Sequence, residues 1–500
     1  DIVGSGSPVG SMDWTMYPLT FTYNNNLFVH GDPRDISLVR AGRDIIESNF
    51  TVAGPGTLEI SAGRNILMAD KAAATSLGPV VPGDLRPGAS IAVQAGLGAQ
   101  GADYAGFLRR YLDTDHVADP ARPLTDQGLP FKTYENELLL WLTQTYGFAG
   151  STADARAFFD ALAPEQQRIF ARQVYFAELR AGGREYNDKA SPRLGSYLRG
   201  RQAIAALFPH QDSYDGSITM YGGAGVQTRN GGDIQVLTPG GAQVYGIEGA
   251  APPSTAGVVT QGRGGIDFYA RDSILLGQSR VMTTFGGSIL AWSAQGDINA
   301  GRGSKTTVVY TPPFRRYDGV GNISLSPAAP ATGAGIATLA PLAEVPAGDV
   351  DLYAPLGTID AGEAGIRVSG NVNIAAQTVL NAANIKAKGE STGIPVTAAV
   401  NTGALTSASS AATSAVNAAQ DSAQRSQNQA RQNQPSIINV QILGYGAEPV
   451  AGTAPQAPAG ASQEVSSYRP NNMVQVVGDG ALTPAQLAKL SSEERQAFGL

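Results

Sequence analysis

A short phrase that repeats along the chain constrains its fold more than any other feature of the sequence. Residues 35–45 read DISLVRAGRDI, and residues 57–66 read TLEISAGRNI. The two segments align at an offset of 21 residues, which places Ile45 on Ile66. A related phrase, SIAVQAG, follows at 90–96. Repetition at this scale indicates a chain that grows by stacking similar units rather than by enlarging one core.

The same pattern returns after residue 210, where each unit begins with a Gly turn, continues with a polar residue and an Ile or Val, and then alternates apolar with small or polar residues. The clearest units are GSITMYGG (216–223), GGDIQVLTPGG (231–241), GGIDFYARDSILLG (264–277), GGSILAWSAQGDINAGRGSKT (286–306) and AGDVDLYAPLGTIDAGEAGIRVSGNVNIAA (347–376). Such alternation predicts short β-strands with one buried face. The predicted inward residues are Ile218, Ile234, Val236, Ile266, Phe268, Ile289, Ile298, Val350, Leu352, Ile359, Val372 and Ile374.

Short strands of this kind could form either a β-sandwich or a parallel β-helix. Two observations favour the β-helix. The units align head to tail, so stacked coils would place Ile on Ile, and paired phrases such as SILAWSAQ and GDINAG resemble successive strands of one coil. Each coil would then bond to the next at about 4.8 Å. Because the spacing between units is irregular, we expect loops to leave some coils.

The pattern changes between residues 102 and 210, which we predict to be an α-helical insertion. Residues 134–148 place leucine and aromatic side chains at helical intervals. Ser151 or Thr152 is suited to cap a second helix. Pro164 suits the first turn of a third, and Gly182-Gly183 its end. The insertion is either a packed subdomain that shields a coil or a recognition module that projects from the solenoid.

The C-terminal region has a different composition again. Residues 391–435 consist mainly of Ala, Ser, Asn, Thr and Gln, which cannot bury enough apolar surface to hold a fold alone. We predict a linker there, followed by a strand at 436–446, a Pro-rich stretch and a short helix at 483–497. The predicted division is therefore β-helix coils at 1–101, the helical insertion at 102–210, further coils at 211–390, the linker at 391–435 and the terminal region at 436–500.

Composition excludes several classes of function. Asp and Glu (42) outnumber Lys and Arg (35), so the net charge of −7 offers no basic surface to a nucleic acid. The chain contains no cysteine, which excludes disulfides and thiolate sites. No apolar run is long enough to predict a transmembrane helix. The first residues have the pattern expected in the middle of a strand, so we expect this chain to be cut from a longer one.

The sequence predicts no catalytic, cofactor-binding or metal-binding residue. The histidines, His30, His116 and His210, lie too far apart for a zinc site of the HExxH type. His116 lies in the segment DTDHVAD, which is interpreted as a polar loop rather than a cation site. The period of nine that calcium-binding β-rolls require is missing, and Ser304-Lys305 lacks the order of a P-loop.

Carboxylates in the solenoid keep one enzymatic alternative open. Parallel β-helices that cleave polysaccharides need acids clustered on one face. Asp297 and Asp349 follow glycine in turns and are interpreted as structural, whereas Asp351 and Asp360 could face outward. A glycan-active enzyme is therefore the alternative to a binding protein, and a self-associating matrix protein is a third possibility.

Several of these phrases resemble the C-terminal region of filamentous haemagglutinin-like exoproteins, which Gram-negative bacteria secrete through two-partner systems. The phrases are DISLVRAGRDI, GGDIQVLTPGG, GDINAGRGSKT and AGEAGIRVSGNVNIAA. The resemblance implies a right-handed parallel β-helix, export through an outer-membrane partner pore, display at the cell surface or release, and adhesion to host or bacterial surfaces or biofilm. It implies an adhesin without turnover that uses no cofactor and recognises a surface receptor or a glycan.

Overall fold

The computed structural model describes the solenoid and the insertion but not the C-terminal region. It covers residues 1–3, 28–69, 72–79, 84–122, 127–246, 256–303, 314–317, 323–326, 333–340 and 343–395. These residues belong to one compact unit, Asp1–Ala398. Most of the predicted linker, the strand at 436–446 and the helix at 483–497 lie outside the described residues, so these three expectations stay predictions.

The described strands form a parallel β-helix with three faces. Face 1 stacks β2 (Phe28–Val29), β5 (Phe50–Ala53), β8 (Ala73–Ser76), β11 (Gly225–Thr228), β14 (Gly257–Thr260), β17 (Arg280–Thr283), β22 (Gly335–Thr338), β24 (Ile366–Val368) and β26 (Ile385–Ala387). Face 2 stacks β3 (Ile36–Ala41), β6 (Thr57–Ala62), β9 (Ser90–Gln94), β12 (Ile234–Thr238), β15 (Ile266–Ala270), β18 (Ile289–Ser293), the first parts of β23 (Val350–Asp360) and β25 (Val372–Leu380), and β27 (Ser391–Thr392). Face 3 stacks β1 (Ile2–Val3), β4 (Ile45–Ile46), β7 (Ile66–Met68), β10 (Ile218–Met220), β13 (Gln243–Val244), β16 (Ile274–Leu275), β19 (Ile298–Asn299) and the second parts of β23 and β25.

These strands follow one another as nine described coils, the first beginning at β2 and the ninth at β26. Apart from one antiparallel hairpin, β20 (Phe314–Tyr317) with β21 (Ile323–Ser326), every described strand pair is parallel. The helical insertion interrupts the third coil between β9 and β10. The parallel β-helix is therefore confirmed for the described part of the chain.

The residues that align in the repeated phrase are the ones that pair between adjacent coils. Ala41 pairs directly with Ala62, and Ile45 pairs with Ile66, as the sequence alignment predicted. All the predicted inward residues are buried in one continuous apolar core that fills the solenoid. Like residues therefore stack on like residues along the axis, which is how a chain with a modest core per coil buries a continuous apolar column.

The polar residue before each strand has its own stacking role. The Asp44 carboxylate accepts a hydrogen bond from the Asn65 backbone N–H at 3.0 Å. In the same way Asp297 Oδ1 accepts from the N–H of Thr358 at 2.7 Å. An Asx side chain here thus satisfies a backbone donor of the adjacent coil. This explains why Asp or Asn recurs before the Ile of several units, and it supports the structural interpretation of Asp297. In another unit Ser273 acts in the same way, since its Oγ accepts from the Asp297 N–H at 3.0 Å.

The insertion contains five described helices. They are α1 (Tyr104–Tyr111), α2 (Glu135–Tyr146), α3 (Thr152–Asp160), α4 (Pro164–Asn187) and α5 (Leu198–Leu207). Ser151 caps α3 through a capping box with Asp154, and Pro164 occupies the first turn of α4, as predicted. Both signals are local in sequence, which is why the sequence alone could locate these two helix starts.

The predicted end of α4 at Gly182-Gly183 is wrong, because the helix continues to Asn187. These glycines serve close packing instead of termination. A Cβ on Gly183 would lie 2.1 Å from the Tyr353 ring, and a Cβ on Gly182 would lie 2.6 Å from the backbone nitrogen of Gly200. Glycine therefore lets α4 approach both face 2 and α5 more closely than any other residue could.

The insertion does not project from the solenoid but lies against face 2. Its helices share a second apolar core with outward side chains of the strands beneath them. The strand residues in that core are Leu237, Tyr269, Leu290, Trp292, Tyr353 and Ala375. Trp292, for example, is fully buried although it points out of the solenoid. The hypothesis of a packed subdomain that shields coils therefore describes this insertion, and the projecting module does not.

Candidate functional site

The acids that the sequence singled out are separated by the fold. Asp351 faces outward on face 2, as expected, but α4 covers it completely. Its carboxylate accepts hydrogen bonds from Arg184 Nε at 2.8 Å and from the Tyr353 hydroxyl at 2.9 Å, and Arg180 Nε lies 3.2 Å away. A carboxylate that is buried and paired in this way holds two elements together and has no open position for a substrate.

Asp360 lies on face 3, in a groove of about 440 Å³ that is lined by residues of the fourth to the eighth coil. The groove follows one register column of outward side chains. In that column Val244 pairs with Leu275, Leu275 with Asn299, and Asn299 with Asp360. One end of the groove is consequently apolar and the other end polar.

The polar end carries five side chains with both donors and acceptors. These are Asn299, Arg302, Asp360, Glu363 and Asn381. They include amide, guanidinium and carboxylate groups, and Glu363 is exposed to solvent. Such a mixture can bond to hydroxyl and amide groups in either direction.

The fold fixes the orientation of the Asx side chains in the groove. Asn299 Oδ1 accepts from the Gly301 N–H at 2.7 Å. Asp360 Oδ1 accepts both from the Gly362 N–H at 2.8 Å and from Asn381 Nδ2 at 2.7 Å. Because one oxygen of Asp360 is used by the turn, its second oxygen is directed by the backbone rather than by free rotation, and the polar end is preorganised.

The floor of the groove is made of glycine because the coils touch there. A Cβ on Gly301 would lie 2.0 Å from the carbonyl oxygen of Gly277, and a Cβ on Gly362 would lie 2.0 Å from that of Gly301. Stacking therefore excludes side chains from successive turns at this place. Four of these glycines line the groove: Gly246, Gly277, Gly301 and Gly362.

The three histidines lie in separate environments, and His210 is exposed beyond the end of α5. His30 is buried, with Nδ1 2.7 Å from the Pro55 carbonyl oxygen and Nε2 2.8 Å from Ser37 Oγ. His116 Nδ1 lies 2.7 Å from Asp113 Oδ2 in an exposed loop. Within the described ranges, no three His, Asp or Glu side chains are grouped so that they could hold a metal ion.

Sequence reasoning considered Asp360 alone and missed the other four polar residues of the groove. A signal was nevertheless present. Residues 298–301 read INAG and residues 359–362 read IDAG, so the same four-residue pattern occurs twice at turns that stack on each other. The first copy lies within GDINAGRGSKT, and the second overlaps the start of AGEAGIRVSGNVNIAA, both of which are phrases that carry the resemblance to haemagglutinin-like exoproteins.

Comparison with known proteins supports that resemblance for one segment. Residues 286–396 match a family model described as filamentous haemagglutinin family outer membrane protein. No curated protein and no solved structure matches the chain. The matched segment includes all five polar residues of the groove. Of the helices in the described residues, none combines the length and the apolar character needed to cross a membrane.

Proposed function

We propose that this chain is part of a large secreted β-helical adhesin, and that the groove on face 3 binds a hydroxyl-rich glycan of a host or bacterial surface. The observation that carries the proposal is the preorganised polar end of the groove. Planar amide and carboxylate groups held by the backbone suit ligands whose many hydroxyl groups both donate and accept. The apolar end at Val244 and Leu275 offers a surface to the less polar face of a sugar ring.

The family match supports an extracellular setting for this scaffold. A filamentous haemagglutinin-like chain would reach the cell surface through an outer-membrane pore of a two-partner system, and this pore is the first proposed partner. The absence of cysteine is compatible with that route, because a chain that threads a pore unfolded is hindered by premature disulfides. Adhesion then follows from display of a long rigid surface.

Binding without turnover is the form of this proposal that the acids favour. Asp351 is enclosed by Arg180 and Arg184, and Asp297 bonds to an adjacent turn. The groove does contain two carboxylates, Asp360 and Glu363. That pair is the specific observation that favours a glycan-cleaving enzyme as second candidate, since such enzymes act with two carboxyl groups placed about 5–9.5 Å apart.

A glycan array and whole-cell binding, followed by mass analysis of the bound glycans, separate the two candidates. We expect Glu363→Ala with Asn381→Gly to weaken binding about tenfold or more, which corresponds to the loss of one or two hydrogen bonds. Glycine suits position 381, because Asn381 has a φ of 52°. Asn136→Ala, at an exposed site of α2, is the matched control and should bind as the unmodified chain does.

Three results would contradict the proposal. Unchanged binding by the groove variant would show that the ligand does not bind face 3. Loss of binding in Leu140→Asp, at an exposed apolar site of the insertion, would place the receptor site on the helices. Shortened glycans would establish turnover, and loss of that cleavage in Asp360→Asn and Glu363→Gln would assign it to the groove.

A further inference from the structure

The longest helix of the insertion, α4, contacts the solenoid from the first coil, where its Glu165 accepts from Arg40 Nη2 at 3.3 Å, to the eighth. Most of its polar contacts on the solenoid fall in a single register column of face 2, the contacts of Glu165 with Arg40 and of Arg184 with Asp349 lying outside it. That column runs, strand by strand, through Glu59, Ala92, Gln235, Asp267, Leu290, Asp351 and Asn373. These residues belong to coils two to eight. One side of α4 therefore lies along the solenoid rather than across a single coil.

The first half of α4 binds the early coils. Arg172 Nη1 donates to Glu59 Oε2 at 2.8 Å, and Arg172 Nε donates to Gln235 Oε1 at 3.1 Å. Arg172 and Glu59 are only 1% and 3% exposed, and Arg168 lies 3.4 Å from the same carboxylate. A buried ion pair of this geometry is very sensitive to the loss of either partner.

The second half of α4 binds the late coils. Arg180 Nη2 donates to Asp267 Oδ1 at 2.8 Å, and Arg184 Nε donates to Asp351 Oδ1, also at 2.8 Å. At the end of the helix, Asn187 Nδ2 donates at 2.8 Å to the Ile374 carbonyl oxygen in the eighth coil. The contacts thus follow the order of the coils.

The rise of α4 matches the height of the coils that it contacts. The fifteen residues from Arg172 to Asn187 advance an α-helix by about 22 Å. Arg172 lies between β6 and β12, at the level of β9, and five strand spacings separate β9 from β25, which corresponds to about 24 Å. A straight helix can consequently make each of these contacts in turn without distortion.

The arrangement differs from that of a plain solenoid, in which each coil contacts only its two neighbours. Arg172 and Glu59 are 113 residues apart in the chain, and Asn187 and Ile374 are 187 residues apart. A coil that separates from the stack must therefore also leave α4. Coils two to eight share one partner and lose the independence that stacking alone would give them.

We propose that the helical insertion is a brace that makes coils two to eight open as one unit, so that the solenoid resists unravelling from its ends under tension. This inference goes beyond adhesion and does not depend on the groove or its ligand. It assigns the insertion a mechanical function for which exposed surface is not required. It also explains why acids are placed on the outside of face 2 and then buried.

Hydrogen exchange of the full chain under native conditions tests the brace without any substitution. We expect amide protection in β6, β12, β15, β18, β23 and β25 to agree within about tenfold, because these strands would open together. Protection that falls steadily from the fifth coil to the eighth would overturn the proposal, since this is the pattern of coils that open one at a time.

A variant that removes two positive and two negative charges tests the ion pairs that join α4 to the late coils, which we call its anchors. Arg180→Gln, Arg184→Gln, Asp267→Asn and Asp351→Asn together leave the net charge unchanged. We expect protection in β23 and β25 to fall at least about tenfold relative to β12. The control, Arg156→Gln with Asp160→Asn, neutralises the pair of half-buried Arg156 and exposed Asp160 within α3, and it should leave protection in β12, β23 and β25 unchanged. Equal protection in all three chains would contradict the brace.

Force spectroscopy supplies a second, independent readout. When the full chain is pulled from its two ends, coils two to eight should release their length in one step. The fourfold variant should release the seventh and eighth coils in a separate, earlier step. A series of one-coil steps in the unmodified chain would show that α4 does not join the coils and would overturn the proposal.

Discussion

Replacing Gly183 with alanine tests how closely α4 approaches the solenoid, because two effects of opposite sign compete at this position. In an exposed helix interior, alanine is favoured over glycine by about 1 kcal/mol. In this structure the new Cβ would lie 2.1 Å from Cε2 of Tyr353. Real carbon atoms do not approach so closely, so either the ring or the helix must move.

The Tyr353 ring has little room to move. It is fully buried, it packs against Trp292 with ring centroids 5.5 Å apart, and its hydroxyl donates to Asp351 Oδ1 at 2.9 Å. Overpacking costs about 1–3 kcal/mol, and breaking the buried hydrogen bond costs about 1–3 kcal/mol more. After subtraction of the helix propensity, we expect Gly183→Ala to lower the free energy of unfolding by about 1–5 kcal/mol.

Urea unfolding followed by far-UV circular dichroism measures the difference. Gln173→Ala, at an exposed position of the same helix, is the control and should change stability by less than about 0.5 kcal/mol. Adding Tyr353→Leu to Gly183→Ala removes the ring atoms that collide with the new methyl group. The double variant should therefore lose less than the sum of the two single losses, with a coupling of about 1 kcal/mol or more.

A stabilised Gly183→Ala would refute the reasoning, because it would show that helix propensity acts alone and that α4 stands away from face 2. Additive losses in the double variant would also count against it. They would mean that the methyl group and the Tyr353 ring do not compete for the same space.

Two further predictions concern the carboxylates of the solenoid. Burial raises the pKa of Asp267 to about 6 from 3.8, against the opposing effect of Arg180, while burial also raises the pKa of nearby Asp233. The folded chain therefore takes up a proton before the unfolded chain does, so this group should add about 2 kcal/mol of stability as the pH falls from about 7 to about 4, and about 3 kcal/mol once the pH is below the unfolded pKa. Urea titrations at several pH values should show a smaller rise in Asp267→Asn. In the turns, Asp297→Ala removes the acceptor of the Thr358 N–H and should cost about 1 kcal/mol, whereas Asp297→Asn keeps an acceptor oxygen and should stay within about 0.5 kcal/mol in the same assay.

The features that the sequence predicted correctly are those encoded within one coil or one helix turn. Alternation placed Ile234 and Ile266 in the core, where they pair directly with each other. The Ser151 cap and the Pro164 start were recognised because capping depends on residues three or four positions apart. Such signals are complete in a window of a few residues, so one sequence suffices to recognise them.

The features that the sequence did not predict depend on contacts between distant segments. The outward orientation of Asp351 follows from alternation, but its burial follows from Arg184, which is 167 residues away in the chain. Gly182 and Gly183 have the local appearance of a helix end, yet they serve packing against Tyr353 and Gly200. Local propensity is overridden where tertiary packing requires a close approach.

The groove shows the same limit for the candidate site. Asn299 and Asp360 are 61 residues apart in sequence, and only the register of β19 with β23 makes them neighbours. Because the hairpin of β20 and β21 is inserted between them, the interval between the two copies of the pattern differs from the usual coil length. Stacking must be known before a side-chain ladder of this kind can be assembled.

The two proposed roles lie on different faces of the solenoid, and this separation has a consequence. On face 2 the acids pair with arginines of α4, whereas on face 3 the half-buried Asp360 and the exposed Glu363 line the groove. A ligand pulled away from face 3 transmits force to the stacked coils, and α4 is bound to those same coils from the other side. Variants that weaken the anchors of α4 should therefore lower the force at which the coils separate without changing glycan affinity at rest, while groove variants should do the reverse. Adhesion and mechanical cohesion would then be independent properties of one scaffold, because the solenoid offers a separate face to each.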